Sequence, residues 1–356
     1  MRIRELQLEC YPFRHKLGMI IRHRYYYAHR LAAVALLAIA CCLTGVLAKA
    51  QTNDLLTAAQ RGDLPVVIAL LRSGIDANAR RTESDPTTAL ILASRYGQLE
   101  VVQALLAAKA NVNAGAGPGE NGTTALMQAS AQGNLKMVQA LLAANANVDA
   151  KGPLGVTALY RASLDGSLEV VQALLAAKAD PSPQLARLGD TPLTVALSQR
   201  HWDIARVLVE AGANVNATTA SGVTALVLAA RENSPRSLMM VQALLAAHAD
   251  VNGNFLGADT ALGVAASTGS VEVVQALLAA KSWVDVNIKQ HDGRTPLMNA
   301  SANGRADVVR LLLAAKADVS AQGNDGRTAL MLALQNDHAE VAKLLTSASF
   351  AVLDQK

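Results

Sequence analysis

The sequence predicts an all-α solenoid of about nine helix-turn-helix units, and three observations carry that prediction. A Thr opening a T-A-L or T-P-L triplet recurs at Thr88, Thr124, Thr157, Thr191, Thr224, Thr260, Thr295 and Thr328, in steps of 36, 33, 34, 33, 36, 35 and 33 residues. The heptapeptide V-Q-A-L-L-A-A returns in the units containing Leu105, Leu141, Leu174, Leu244 and Leu277. Between these landmarks lies a short polar break that usually holds a glycine: Gly97, Gly133, Gly166, Gly269 or Gly304. A period of this length marks stacked supersecondary units, each too small to bury its own apolar face. A compact core would approach its size limit at 356 residues, whereas a repeat array grows without meeting one.

The first 50 residues stand apart from the repeats. Arg2, Arg4, Arg14, Lys16, Arg22, Arg24 and Arg30 precede an apolar run from Leu31 to Ala48, which ends in Ala48-Lys49-Ala50. A basic region, an apolar region and an A-x-A exit make the layout of a signal peptide. Starting at Met19 would leave only Met19 to Arg30 before the apolar run, so Met19 is the expected start. The run of 18 residues also suffices for an uncleaved signal anchor. The small-residue exit and the nearness of the first repeat favour cleavage at about Ala50, which leaves the array periplasmic or secreted. An anchored array would be membrane-attached but still outside the cytoplasm. A lipoprotein reading requires Cys41 or Cys42 to accept lipid, yet Ala38 stands where Leu is usual.

The leader also accounts for the chain's basic balance. It holds 8 of the 32 Lys and Arg and 2 of the 28 Asp and Glu, leaving 24 basic against 26 acidic residues beyond it. The isoelectric point near 9.0 therefore argues for neither nucleic-acid nor anionic-membrane binding by the repeats. Cys10, Cys41 and Cys42 are the only cysteines. Residues 51–356 thus have no disulfide, thiolate metal site or cysteine nucleophile.

The units begin near residues 53, 88, 124, 157, 191, 224, 260, 295 and 328. In the first, Leu55, Ala58 and Gly62 keep the frame while Asn53 replaces Thr. In the second, Thr88 to Tyr96 predicts a short inner helix with Leu90 and Ala93 turned inward. Leu99 to Ala108 predicts an outer helix, with Leu99, Val102, Leu105 and Leu106 on one face. Alanine abundance suits helices that lie close together. Pro192 and Pro296 follow their Thr at the first helical position, where no N–H is needed. The turn glycines suit a positive φ, so Arg200 and Asp337 in their place predict slight strain. Asp292-Gly293 and Asp325-Gly326 predict tight, hairpin-like fingers. Stacked helices roughly 8–10 Å apart would make a rod on the order of 80 Å long.

Each unit reads T-A/P-L, two variable residues, Ala, a polar turn, V-V-Q-A-L-L-A-A and an A-D/N-V-N/D exit, the last seen at Asn111-Val112-Asn113, Asn147-Val148-Asp149, Asn214-Val215-Asn216 and Asp250-Val251-Asn252. From about Asn53 to Ser347 the chain resembles the ankyrin-repeat family. Its leader and alanine-rich composition suit an exported bacterial member. The resemblance implies an ankyrin solenoid with hairpin-like fingers, a protein partner on the concave face, no cofactor, and a monomer. Finger tips and inner-helix ends form that face. Position by position, the resemblance assigns it the pairs Arg95-Tyr96, Ala131-Gln132, Leu164-Asp165, Ser198-Gln199, Arg231-Glu232, Ser267-Thr268, Ala302-Asn303 and Gln335-Asn336. The fingers add Thr123, Val156, Asp190, Val223, Asp259, Arg294 and Arg327.

Aromatic and Arg side chains dominate interface energies, and beyond the leader only Tyr96, Tyr160, Trp202, Phe255, Trp283 and Phe350 are aromatic. Tyr96 beside Arg95 is the leading anchor. Tyr160 on an inner helix and Phe255 on a finger are further contact candidates. Trp202 replaces the Leu that opens an outer helix and is expected in the core. Phe350 is expected to follow the last helix and cover the open end. The first two fingers are long. The sixth unit carries three extra residues around Glu232 to Ser237, and the seventh carries two at Trp283-Val284. Insertions in solenoids fall in loops, often on the binding face, which makes Trp283 a contact candidate.

Nothing in the chain assembles chemistry. His201, His248, His291 and His338 are expected at different repeat phases, spread along the rod. H-E-x-x-H, G-x-S-x-G, Walker and G-x-G-x-x-G contexts are absent. The glycine cluster from Gly115 to Gly122 lacks a following Lys and reads as a flexible finger rather than a phosphate loop. Asn121-Gly122-Thr123 and Asn216-Ala217-Thr218 fit the N-glycosylation pattern, which matters only in a glycosylating host. The expected function is an exported protein-interaction scaffold. A host-directed effector and a membrane-anchored scaffold are alternatives within that class, and an enzyme or small-ligand binder is the disfavoured class.

Overall fold

A computed structural model describes residues 51–82, 87–115, 122–185, 189–253, 259–280 and 284–353 of the chain. The leader expectations, Phe255, Trp283 and most of the Gly115–Gly122 cluster lie outside the described residues.

Among the described residues, 18 α-helices form nine pairs. The inner helices are α1 (51–61), α3 (Ala89–Arg95), α5 (Ala125–Ala131), α7 (Ala158–Asp165), α9 (Pro192–Ser198), α11 (Ala225–Ala230), α13 (Ala261–Thr268), α15 (Pro296–Ala302) and α17 (Ala329–Gln335). The outer helices are α2 (Leu64–Arg72), α4 (Leu99–Ala107), α6 (Leu135–Ala143), α8 (Leu168–Ala176), α10 (Trp202–Glu210), α12 (Pro235–Ala246), α14 (Val271–Ala279), α16 (Ala306–Ala314) and α18 (Ala339–Leu353). Inner helices stack on inner helices and outer on outer, and their buried side chains join into one continuous core.

The T-A/P-L triplet explains how each inner helix starts. From Thr88 to Thr328 every repeat Thr is an N-cap, its hydroxyl accepting the N–H three residues on at 3.0–3.4 Å. The next residue, Ala or Pro, is buried against the preceding unit, and the following Leu enters the core in all but the last unit. The first unit departs from this, because Asn53 lies inside α1 and caps nothing. In α4, Val101, Val102 and Leu105 are fully buried while Leu99 and Leu106 are half-buried at the margin. The core face is thus centred one residue away from the expected stripe.

Backbone geometry bears out the strain at substituted turns, since Arg200 has φ 63° and Asp337 φ 58° where other units place glycine. A second left-handed column went unforeseen. Lys109, Asn145, Lys178, His248 and Lys316 close their outer helices at φ 61–68°, where Gly74 and Gly212 stand in other units.

Two expectations are corrected. The sixth unit's extra residues form no loop: Ser234 caps α12, Pro235 opens it, and α12 has 12 residues where most outer helices have nine. The added turn is fastened to its own unit, Ser237 Oγ donating to the Ala229 carbonyl at 2.6 Å. Phe350 does not follow the last helix but lies within α18, where it is 64% exposed and covers nothing. The hairpin character of the fingers is local: antiparallel bridges join Arg80 with Thr88, Thr218 with Thr224 and Gln322 with Thr328, and the Asp292-Gly293 and Asp325-Gly326 turns are closed as expected, Gln290 N donating to Arg294 O and Gly323 N to Arg327 O, both at 3.0 Å. No strand occurs among the described residues.

Candidate functional site

The fingers are set in place by a ladder of short polar side chains in the exit loops. In each exit the first Asx accepts the N–H two residues on, as Asp250 Oδ1 does from Asn252 at 3.0 Å. The second reaches forward to the next unit: Asn78 Oδ1 accepts from Asn111 N at 2.6 Å, Asn113 from Asn147 at 2.7 Å, and Asp149 from Asp180 at 2.9 Å. Ser182 Oγ then accepts from Asn214 N at 2.8 Å, Asn216 from Asp250 at 2.8 Å, Asn252 from Asp285 at 2.9 Å and Asn287 from Asp318 at 2.8 Å. The A-D/N-V-N/D exit is thus a coupling device between neighbours. The sequence contained its signal, a polar acceptor at i and i+2 recurring at the repeat period.

Five of the inner-helix ends are aligned by a second set of contacts, in which the residue after the next unit's turn bonds a carbonyl at or just past the end of the preceding inner helix. Gln98 Nε2 reaches Gln60 O at 3.5 Å, Ser270 Oγ reaches Glu232 O at 3.4 Å, and Arg305 Nε reaches Ser267 O at 3.2 Å. His201 and His338 do the same, their Nε2 atoms lying 3.2 Å from Leu164 O and 3.1 Å from Ala302 O. This corrects the histidine expectation: both lie ten residues after their unit's Thr and serve as structural bonds at one repeat phase. His248 is an outer-helix terminator and His291 an exposed finger residue.

These devices bring most of the candidate contacts to one edge, unit after unit. Arg95, Gln132, Asp165, Gln199, Arg231 and Asn303 are exposed at the inner-helix ends, and Tyr96 beside Arg95 is 49% exposed. Glu232 is half-buried and paired with Arg200, Nε to Oε1 2.6 Å. Thr268 is half-buried and spends its hydroxyl on Ala265 O at 3.0 Å. Asn303 donates to Asn299 O and Ser267 Oγ. Arg294 and Arg327 are held by acids of their own fingers, Asp292 and Asp325, and Arg327 also donates to Gln335 Oε1 at 2.7 Å.

Tyr160 is corrected. It is only 9% exposed and packs with Leu185 and Val195 in a small separate cluster, because the finger after α8 folds Leu185 over it. Burial, helped by Asp190, pushes its phenol above the ordinary range. Asp190 and Asp165 are likewise raised, chiefly by burial; a hydrogen bond with Thr194 opposes the shift at Asp190, while Arg161 and His201 oppose it at Asp165. Trp202 is buried in the core, as its replacement of Leu implied. Among the described residues no three His, Cys, Asp or Glu side chains gather as a metal site, and no helix is long and apolar enough to cross a membrane.

The sequence model for ankyrin repeats (three copies) matches residues 55–152, 112–184, 141–219, 159–255 and 262–355, nearly the whole described array. The chain belongs to the ankyrin-repeat family. No curated protein matches it in a sequence comparison. Ankyrin repeats are generally protein-interaction modules and typically non-enzymatic scaffolds. The ankyrin frame gives the geometry a plain division of labour. Five of the nine outer helices carry the same V-Q-A-L-L-A run, whereas the pair of residues at the inner-helix end differs from unit to unit.

Proposed function

We propose that this ankyrin array is an exported scaffold that holds another protein against its concave face of inner-helix ends and fingers. One observation carries the reading: the inner-helix ends, whose residue pairs vary between units, lie along a single edge with most of their second residues exposed, whereas the recurring Thr, Leu and exit Asx positions are taken up by caps, core and ladder. A rigid edge with a different pair of side chains in each unit suits recognition of an extended protein surface rather than a reaction in a pocket. Tyr96 and Arg95 are the leading anchors, with Gln132, Gln199, Arg231 and Asn303 continuing the edge.

Export is proposed from the basic and apolar composition of the first 50 residues. Sequencing the amino terminus of the protein from the exported fraction should find a start near Gln51. Retention of Leu31 to Ala48 in the membrane fraction would replace secretion with anchoring. For binding, crosslinked pull-down from that fraction should recover a protein whose yield falls about tenfold with Arg95→Ala plus Tyr96→Ala, while thermal melting is unchanged. Full recovery after those changes and Arg231→Ala together would refute the concave-face reading.

A further inference from the structure

The two ends of the array are chemically unlike. In α1, Asp54, Thr57 and Arg61 are exposed on one side at helical spacing. Asp54 stands where every later unit buries an Ala or Pro against its predecessor. Along α1 that end is polar, as a terminal repeat in water requires, although Val66 of the neighbouring α2 is 41% exposed there while its counterparts from Val101 to Val341 are buried.

The other end is not. Met331 occupies the phase of Leu56, Ile91, Met127, Tyr160, Thr194, Val227, Gly263 and Met298, every one of them buried, yet it is 52% exposed. Leu334 occupies the phase of Ala59, Ser94, Ser130, Ser163, Leu197, Ala230, Ala266 and Ser301, again all buried, yet it is 60% exposed. Leu330, whose counterparts from Leu90 to Leu297 lie in the core, is half-buried. The face through which eight units pack onto a follower is therefore apolar and uncovered in the ninth. Beside it α18 has 15 residues rather than nine and carries the exposed Phe350 in its added length.

We infer that this face joins two copies of the chain tail to tail in a twofold dimer. The surface is continuous in kind with the unit-to-unit interface inside the chain, so a helix pair is the shape that fits it. The choice of partner follows from the ends. A head-to-tail contact would press Met331 and Leu334 onto Asp54, Thr57 and Arg61, desolvating polar groups without partners. It would also leave the same apolar face open on the last copy and propagate into a filament. Mating two identical apolar faces buries Met331, Leu334 and Phe350 from both copies and closes the assembly. The concave edge stays free, so the dimer would present two binding faces to a partner.

The test uses the purified chain with Cys10, Cys41 and Cys42 changed to Ala and a single reporter, Gln335→Cys, on the exposed end of α17. Sedimentation across a concentration series should show a monomer–dimer equilibrium, and a short bismaleimide should link Gln335→Cys to itself. Met331→Glu with Leu334→Glu should weaken dimerisation at least about tenfold and abolish that crosslink. Melting of the dilute monomer should be unchanged, because both side chains are exposed there. A monomer at every concentration would overturn the proposal. So would a dimer that survives the double change, or polymers suppressed by Val66→Glu at the opposite end.

Discussion

Ser94, Ser130 and Ser163 occupy one phase of three successive inner helices, each fully buried, with no hydrogen-bond partner for Oγ among the described residues. Leaving a buried hydroxyl unpaired costs about 1–3 kcal/mol, and Ala is better than Ser in a helix by about 0.5 kcal/mol. The sixth and seventh units carry Ala230 and Ala266 at this phase, fully buried, so Ala fits the space. A hydroxyl can recover part of its loss by turning to the carbonyl four residues back, as Ser301 does to Leu297 O at 2.6 Å. Each Ser→Ala change should then stabilise by about 0.5–1.5 kcal/mol. The units are far enough apart for the triple variant to gain about 1.5–4.5 kcal/mol. Ser301→Ala, whose hydroxyl is already paired, is the internal control and should change stability by less than about 0.5 kcal/mol. Denaturant titration would measure the sum, and amide exchange should show slower opening confined to α3 through α8, because stability in a solenoid is local. A loss of stability in the triple variant, or a gain at Ser301 equal to the others, would show that these hydroxyls have partners and refute the reasoning.

Three further outcomes follow from the same geometry. Asn216→Ala removes the rung to Asp250 N at 2.8 Å and should cost about 1 kcal/mol, with exchange accelerating at the junction of α10 with α12 in peptide-resolved measurements. Asp337→Gly relieves a left-handed φ of 58° and should stabilise the last pair by about 0.5–1 kcal/mol, read as slower exchange in α17 and α18. Titration should separate two kinds of carboxylate. Asp190 is raised by burial, so its contribution is most favourable at acid pH and is lost as pH climbs from the ordinary carboxylate pKa through its raised value. Asp318 is lowered mainly by its bonds to Ser320, so its contribution is present at neutral pH and is lost as pH falls through its lowered pKa. Asp190→Asn should flatten the first dependence and Asp318→Asn the second in melting curves taken from pH 3 to 7, a window bracketing the ordinary carboxylate pKa of about 3.9.

The fold was legible because the physical unit recurs: a capping Thr, a small buried residue, a core Leu and an apolar outer stripe leave the same trace eight times over. Features that depend on backbone geometry left less trace. The left-handed residues Lys109, Lys178 and Lys316 are ordinary surface types, and only a comparison with Gly74 and Gly212 at the same phase reveals them. The equivalence of His201 and His338 was available by counting from Thr191 and Thr328, ten residues in each case. Pro235 directly after Ser234 was a helix-start signal inside what looked like a loop insertion. The burial of Tyr160 could not be counted out in this way, because it depends on the finger that brings Leu185 over the ring. Of the candidate face, the alignment of inner-helix ends followed from the repeat, while the self-pairing of Arg294 and Arg327 with finger acids needed coordinates.

The claim that the varied edge is the working surface is most directly tested by placing a photo-crosslinking residue, one at a time, at Tyr96, Gln132 and Gln199 on the inner-helix ends and at Gln103, Gln139 and Gln172 on the outer helices. All six positions are exposed, so reach is matched and only the face differs. The account predicts a protein adduct from the first three and none from the second three. Adducts arising from the outer helices alone would contradict it.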